Sequence, residues 1–510
     1  MFLGLDLGTS AAKAILIRAD GAVAGVGSAA YPISQPHDRW SEQNPLDWWA
    51  GAINATRAAC AGVEPDAVLA IGLTGQMHGL VLVDAEGLRH AGTHAVAPVR
   101  PAMLWNDQRT DAECATIERT LGGRAACVRA TGNAALPGFT LPKMLWVRGH
   151  EPETWAKAER VFLPKDYLRL VMTAETATDV GDAAGMLLID PATRGWADAV
   201  LSAFDIDRRS LPTLRESGSI TGDLTVWASG QLGLKRSTPV IAGSGDNQTA
   251  AVGAGVVAPG TGVLSLGTSG VLYIHTDAPR LDLGSPPGRL HVFPAADGVR
   301  GTRGGWCSTA CMLSAGGALA WAAGVLAPNV AIDDLLREAA VAPAGCDGLL
   351  FLPHLTGERC PYADPTARGA WVGLTSRHTR GHLVRAVLEG VALTNAMNLD
   401  LMRGAGVGLD SLRVVGGGAR SPLWLAIHAA AMNTSLTCLA SDEGPALGAA
   451  MLAGVGVGAW DTVREAAAAC VRTTDTIEPD QALVTMYGEQ REKLSRVYHA
   501  LHADSTTHTR

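Results

Sequence analysis

The sequence predicts an α/β protein built as two similar halves, and three observations predict it. Leu7-Gly8-Thr9-Ser10 recurs as Leu266-Gly267-Thr268-Ser269, about half of the 510-residue chain away. Both copies sit between β-prone runs, residues 2–5 and 14–17 in one case, 262–266 and 271–274 in the other. That is the pattern of a duplicated strand–turn–strand unit. Sixty glycines and 26 prolines are scattered without a collagen-like or low-complexity period, as in an ordered chain rich in tight turns and close backbone approaches. With 47% hydrophobic and 18% charged residues a large core can form and global disorder is excluded. The halves are assigned to residues 1–244 and 245–510.

The elements follow in order. Residues 2–5 read as a strand, 6–10 as a turn and 14–17 as a second strand, with Asp20-Gly21 turning into a third at 22–30. Residues 44–61 have helical spacing, with Pro45 in the first turn. Apolar runs at 68–73 and 79–83 bracket the polar loop Thr74-Gly75-Gln76-Met77-His78. A small-residue helix is expected from Thr249, and another from Pro422 after a strand at 412–415 and three glycines. Cys307 and Cys311 are expected to share one face of a helix rather than to bind metal. The most apolar stretch, 446–460, is too short and too glycine-rich for a span of about 20 residues.

Charge and cysteine usage narrow the function. Forty-one basic against 49 acidic side chains give −8 with no basic stripe, so no nucleic-acid partner is expected. Nine cysteines, an odd number without a CxxC pair, suit reduced thiols. The start has an acid at position 6 and no basic leader region, so a cytoplasmic protein without a membrane partner is expected.

The repeated turn suggests the chemistry. A glycine followed by two hydroxyl residues exposes backbone N–H groups and adds hydroxyl donors, so Gly8-Thr9-Ser10 and Gly267-Thr268-Ser269 can each cradle phosphate oxygens. Two such turns face to face would clamp a polyphosphate. No P-loop lysine motif occurs, and Gly25-Val26-Gly27-Ser28-Ala29-Ala30 only faintly imitates a dinucleotide fingerprint. Asp6, just before the first turn, suits a Mg²⁺ that also touches phosphate, and an Asx-turn residue is the plainer reading. Lys13 either reaches the same phosphates or is a solvated surface lysine.

Asp246, in Gly243-Ser244-Gly245-Asp246-Asn247, suits either a base taking a proton from a sugar hydroxyl or a helix N-cap. Gln76, Met77 and His78 form a polar tip fit for polyol hydroxyls, and Trp105-Asn106-Asp107-Gln108-Arg109 is a second polar cluster. Gly416-Gly417-Gly418-Ala419, between strand and helix, lets a flat ring or ribose approach the backbone.

These residues resemble, in order along essentially the whole chain, the FGGY family of carbohydrate kinases. The resemblance runs through the Asp6 turn, Trp40-Ser41-Glu42-Gln43 with Trp48, the Asp246 loop and Gly267-Thr268-Ser269-Gly270. It continues through Phe351-Leu352-Pro353 with Gly357-Glu358-Arg359, a signature-like stretch at 369–389, and Gly416-Gly417-Gly418-Ala419. Within the family the loops at 75–79 and 104–109 are most similar to the xylulokinases. The resemblance implies two actin-like (ribonuclease H-like) ATPase domains with the active site in the cleft between them, and ATP-dependent phosphorylation of D-xylulose.

It also implies Asp246 as general base, Asp6 and Asp246 at Mg²⁺, and both Gly-Thr-Ser turns with Lys13 at the ATP phosphates. Gln76, Met77, His78, Trp105, Asn106 and Asn247 would lie at the sugar and the loop at Gly416 at adenosine. A homodimer is compatible with it. Ribulose, gluconate, fuculose or glycerol is the alternative acceptor, and a non-catalytic actin-like module the distant alternative. The chain departs from the family at Ala426 and Ala430, where Gln and Asp are frequent, at Ser435 in place of proline, and at His354 in place of tyrosine.

Overall fold

The computed structural model describes residues 1–441 and 443–502. Its first large sheet contains β1 (Phe2–Leu7), β2 (Ala11–Ile17), β3 (Val23–Ala30), β4 (Ala70–Gly75), β5 (Ile220–Asp223) and β6 (Pro239–Gly245), in the spatial order β5-β6-β4-β1-β2-β3. The second contains β7 (Thr261–Leu266), β8 (Gly270–Thr276), β9 (His291–Pro294), β10 (Trp306–Met312), β11 (Ser411–Val415), β12 (Leu436–Leu439) and β13 (Thr473–Ile477), in the order β9-β10-β8-β7-β11-β12-β13. Each sheet has an antiparallel hairpin with a third antiparallel strand on one side and two parallel strands on the other. Thus β3-β2-β1-β4-β6 repeats as β10-β8-β7-β11-β12. The echo in the sequence is a repeated topology, and both Gly-Thr-Ser turns close the same hairpin.

Helices cover the sheets and account for the unbroken apolar runs in β1 and β4, which a one-sided sheet would not show. On the first sheet lies α1 (Pro45–Ala59). Asn44 caps it by accepting the Leu46 N–H at 3.1 Å, Pro45 takes the first position, and Trp48, Trp49, Ala52 and Ala55 are buried. The helices needed below are α2 (Pro164–Thr173), α3 (Asp246–Gly253), α4 (Arg380–Gly404), α5 (Pro422–Met432) and α6 (Gly444–Gly456). The 25-residue α4 is the spine of the second core, and His382 closes its capping box with Thr379.

The apolar stretch read from the sequence becomes α6, buried at every residue from 446 to 455. A helix apolar on all sides belongs in an interior, and this one lies between the first sheet and α3. Glycines allow the approach. A methyl group on Gly4 or Gly72 would stand 1.9 Å from the carbonyl oxygens of Ala446 and Ala449, and one on Gly448 would stand 1.9 Å from that of Thr249. None of the described helices is long and apolar enough to cross a membrane.

Two expectations change. Cys307 and Cys311 lie on strand β10, not on a helix; a 7-residue run of mixed small residues does not show its period. The helix expected from Thr249 begins three residues earlier, so Asp246 is its first residue and Gly245 its cap position. The division proposed at 244/245 falls at the end of β6.

Gly72→Ala should lower stability by about 1–3 kcal/mol through overpacking against α6. Gly149→Ala, a helical glycine with open space around it, should be neutral or slightly stabilising. Urea unfolding of the two variants checks this, and equal midpoints would refute the close packing.

Candidate active site

Strands β1, β4 and β6 are parallel neighbours, with Leu7 paired to Gly75 and Gly75 to Gly245. The loops that follow them, at Gly8, Gln76 and Asp246, therefore emerge at one edge. This is the carboxyl edge, where open α/β sheets bind ligands. In the second sheet Ser265 pairs with Val415, so the Gly267 turn and Gly416 share an edge as well. Between the two edges lies a cavity of about 350 Å³ whose lining includes Thr9, Met77, His78, Trp105, Asp246, Asn247 and Ser269. A second cavity of about 210 Å³ adjoins it, lined by Ala250, Ser265, Gly416, Leu439, Gly444 and Pro445 among others. The two share Asn247 and Val271.

The two repeated turns are prepared in the same way. In the first, the Gly8 carbonyl accepts the Tyr31 hydroxyl, the Thr9 carbonyl accepts Gln43 Nε2 at 2.7 Å, and the Ser10 carbonyl accepts the Tyr31 N–H at 3.1 Å. In the second, the Gly267 carbonyl accepts the Gly316 N–H at 2.8 Å, and the Thr268 carbonyl accepts those of Ala315 and Gly317 at 2.9 and 3.0 Å. The N–H groups of Thr9, Ser10, Thr268 and Ser269 donate to none of the described residues. With carbonyls tied back and N–H groups outward, each turn is an anion-binding concavity. The Trp40–Gln43 segment thereby acquires a task. Gln43 holds the first turn and also accepts from Trp48 Nε1 at 2.9 Å and Gln76 Nε2 at 3.0 Å.

Asp246 is half-buried at the cavity floor, and its loop is built for close approach. Gly243 has φ +64°, and a methyl group there would stand 1.6 Å from the Leu73 carbonyl oxygen. Behind the loop, Ser244 donates to Asp179 Oδ2 at 2.6 Å, and the buried Lys165 on α2 pairs with Asp166 and Asp179 at 2.7 and 2.8 Å. Burial raises the Asp246 carboxyl to about 6, against the pull of the Asn247 N–H. Burial and the Asp246 charge raise Asp6 to about 7, opposed by Lys13. One oxygen of Asp6 is buried without a hydrogen-bond partner among the described residues.

The opposite wall is aromatic. His78 Nδ1 lies 3.0 Å from the Gly185 carbonyl, which can only accept, so Nδ1 carries the hydrogen and Nε2 is a bare acceptor. Burial holds the ring neutral, its pKa lowered to about 3 even though the Gly185 bond works against the shift. Phe139 and Phe293 stand 4.6 and 6.1 Å from it. Trp105 is 45% exposed over the mouth and donates to Thr9 Oγ1 at 2.9 Å.

The structure therefore gathers Thr9, Met77, His78, Trp105, Asp246, Asn247 and Ser269 on one cavity, with Asp6, Gly8, Ser10, Gly267 and Thr268 in or beside the turns at its rim. Other expected residues lie elsewhere. Gln76 is fully buried behind the wall on Gln43, and Asn106 is half-buried off the lining. Lys13 Nζ pairs with Glu443 Oε2 at 2.7 Å, ahead of α6. Gly416 lines the smaller cavity, Gly417 and Ala419 lie off its lining, and Gly418 backs onto Leu266 and Trp424. Ala426 is exposed and Ala430 is in the core, so these departures leave the cavity walls untouched. The sequence pointed to no site role for Phe139, His291, Phe293, Thr309 or Arg359, which also line the larger cavity. Of these only Arg359 stood in a recognisable motif.

Two family models cover most of the chain: the N-terminal domain of the FGGY family of carbohydrate kinases matches residues 1–253, and its C-terminal domain matches residues 262–457. The chain is 38% identical to the xylulose kinase of Escherichia coli K12 over 98% of its own length and 99% of that protein. It is 35% identical to the xylulose kinase of Bacillus subtilis over 97% and 96%. The crystal structure of xylulose kinase from Rhodospirillum rubrum superposes with a TM-score of 0.89 at 29% identity, covering 98% of this chain and 99% of that one. With a duplicated actin-like sheet, two phosphate-type turns and these matches over both halves, the chain belongs to the FGGY family of carbohydrate kinases.

Proposed function

We propose that the chain transfers the γ-phosphoryl group of ATP to the terminal hydroxyl of D-xylulose, forming D-xylulose 5-phosphate and ADP. The observation that carries this reading is the setting of Asp246. Its carboxylate opens into a cavity bounded by Thr9 of one turn and Ser269 of the other. The choice of sugar follows the full-length relatives named xylulose kinase. The sugar would occupy the larger cavity, its C–H face on Phe139 and Phe293 and a hydroxyl on His78 Nε2. The nucleotide would occupy the smaller cavity beside Gly416, Gly444 and Pro445. The nine free cysteines suit a cytoplasmic setting.

In the reaction the hydroxyl proton passes to Asp246 as the sugar oxygen attacks the γ-phosphorus and the bond to the bridging oxygen of ADP breaks. A carboxyl near 6 is ionised at neutral pH yet basic enough to take that proton. The turn N–H groups face the charge spread over the phosphoryl oxygens, where each well-aimed donor is worth about 3 kcal/mol. The residues fit a magnesium ion. Asp6 has an unpartnered buried oxygen and Asp246 raises its pKa, while no group of three or more metal-ligating side chains occurs among the described residues. Asp6 and Asp246 would hold Mg²⁺ together with phosphate oxygens, and the ion would offset phosphate charge.

Asp246→Asn should lower kcat by roughly 10²–10⁴-fold with xylulose binding, read by calorimetry, nearly unchanged. Wild-type turnover in this variant would end the base assignment. An ADP-release panel should favour D-xylulose over ribulose, gluconate, fuculose and glycerol, and a clear preference for another acceptor would replace the substrate.

The raised carboxyl of Asp6 also predicts a pH dependence of stability in metal-free buffer. Between its unfolded value near 4 and its folded value of about 7 the native state binds more protons than the unfolded state. Stability therefore falls as pH rises through that window. Asp6→Asn should melt above wild type at pH 8 with EDTA present and coincide with it near pH 4. Coincident melting at pH 8 would refute the buried charge.

A further inference from the structure

Arg359 is held at the cavity wall through its main chain and left free at its side chain. Glu358 Oε1 accepts the N–H groups of Arg359 and Leu313, each at 2.9 Å, while its Oε2 lies 2.9 Å from His354 Nδ1. The Arg359 carbonyl accepts the Ala363 N–H at 2.7 Å, and the Cys360 N–H donates to the Cys311 carbonyl on β10 at 3.1 Å. Farther out, the Tyr498 hydroxyl donates to Asp364 Oδ2 at 2.7 Å and its ring stacks 3.5 Å from Tyr362. Yet the Arg359 guanidinium forms no hydrogen bond or ion pair with any described residue.

Among the described residues no other Lys or Arg lines the larger cavity. The charge of Arg359 is felt at His78, His291 and Cys311, on both sides of it. A guanidinium with five donors, anchored at its base and lining a cavity whose lining carboxylate, Asp246, forms no ion pair with it, is a receptor for a planar or tetrahedral oxyanion. D-Xylulose carries no charge. The anion that enters this cavity during the reaction is the transferred phosphoryl group, which must also pass the carboxylates of Asp6 and Asp246.

We propose that Arg359 receives the phosphoryl group as it reaches the sugar and holds the phosphate ester of the product. This rests on the sugar-kinase reading above. The bonds are those already described: the new bond is from sugar oxygen to γ-phosphorus, the broken bond is from γ-phosphorus to the oxygen retained by ADP, and the proton goes to Asp246. Arg359 contributes donors to the phosphoryl oxygens and exchanges no proton.

The test compares wild type, Arg359→Gln, Arg359→Lys and Arg359→Ala in steady-state turnover and in calorimetric binding of xylulose, xylulose 5-phosphate and inorganic phosphate. Arg359→Gln should lose roughly 10²–10³-fold in kcat with xylulose affinity held, and should bind both phosphate ligands more weakly. Arg359→Lys should fall between, and guanidinium ion should partly restore Arg359→Ala. A kcat for Arg359→Gln within about threefold of wild type would overturn the proposal. So would loss of xylulose affinity with kcat retained, which would make Arg359 a sugar-binding residue. If wild type itself does not phosphorylate xylulose, the substrate reading fails. Binding of inorganic phosphate, which needs no turnover, then still decides Arg359: equal affinity in wild type and Arg359→Gln would overturn it.

Discussion

The site depends on one crossing, where α6 lies between the first sheet and α3 with backbone almost touching backbone. Gly4 and Gly72 bring the sheet to α6, and Gly448 and Gly253 bring α6 to α3. Every one of these contacts involves a carbonyl oxygen that a side chain would displace. Because α3 begins at Asp246 and α6 begins at Gly444 and Pro445, the same crossing sets the distance from the Asp246 carboxylate to the smaller cavity. The buried pair of Thr74 and Thr249 hydroxyls, 2.5 Å apart, fixes α3 against β4. A helix from the second half thus positions a carboxylate at the edge of the first sheet. Close-packed interiors transmit displacement rather than absorb it, so a change at Gly72 is felt at Asp246.

Electrostatics then decide what the cavity can hold. Two carboxylates, Asp6 and Asp246, face one another at half-buried positions, and each is disfavoured as an anion. Without compensation a polyphosphate would be repelled. Compensation is available from several weak sources: the N–H groups of two turns, the unpaired guanidinium of Arg359 and, in the proposed reaction, a divalent ion that Asp6 would hold. Lys13, the obvious cation in the sequence, is paired with Glu443 instead. A net charge of −8 is no obstacle to nucleotide binding when partial positive charges are local and fixed.

What the sequence disclosed and what it hid follow from the range of the interactions involved. The Gly-Thr-Ser turns were legible as turns because three consecutive residues between two strands dictate their conformation. The strand–turn–strand setting, the helix at Pro45 and the apolar character of α6 were legible for the same reason. Gln76 and Asn106 misled because a polar residue at a loop tip can point inward as well as outward; Gln76 was claimed by Gln43, 33 positions earlier. Phe139, His291 and Phe293 carry no local signal at all. They become a wall only because β9 adds to the edge of the second sheet and faces the first half across the cleft. Cys307 and Cys311 failed for want of length, since four residues of separation fit one face of a helix and of a strand alike.

The duplication is most informative where its two copies differ. Asp6 precedes the first turn by two residues, and the corresponding residue before the second turn is Ser265. The hairpins are otherwise equivalent, with carbonyls tied back and N–H groups presented, so the backbone arrangement occurs twice and the carboxylate once. A second acid at Ser265 would stand in the smaller cavity, where none of the described lining residues is cationic and nothing would balance its charge. An acid at position 6 instead stands within electrostatic reach of both Asp246 and Lys13. The asymmetry divides the charge: the two carboxylates gather where β1 and β6 end, and among the described residues the lining of the smaller cavity carries no charged side chain. Arg359 extends that division by placing a cation on the larger cavity from a segment anchored to the second sheet at Cys311, while Asp6 and Asp246 stand at the edge of the first sheet.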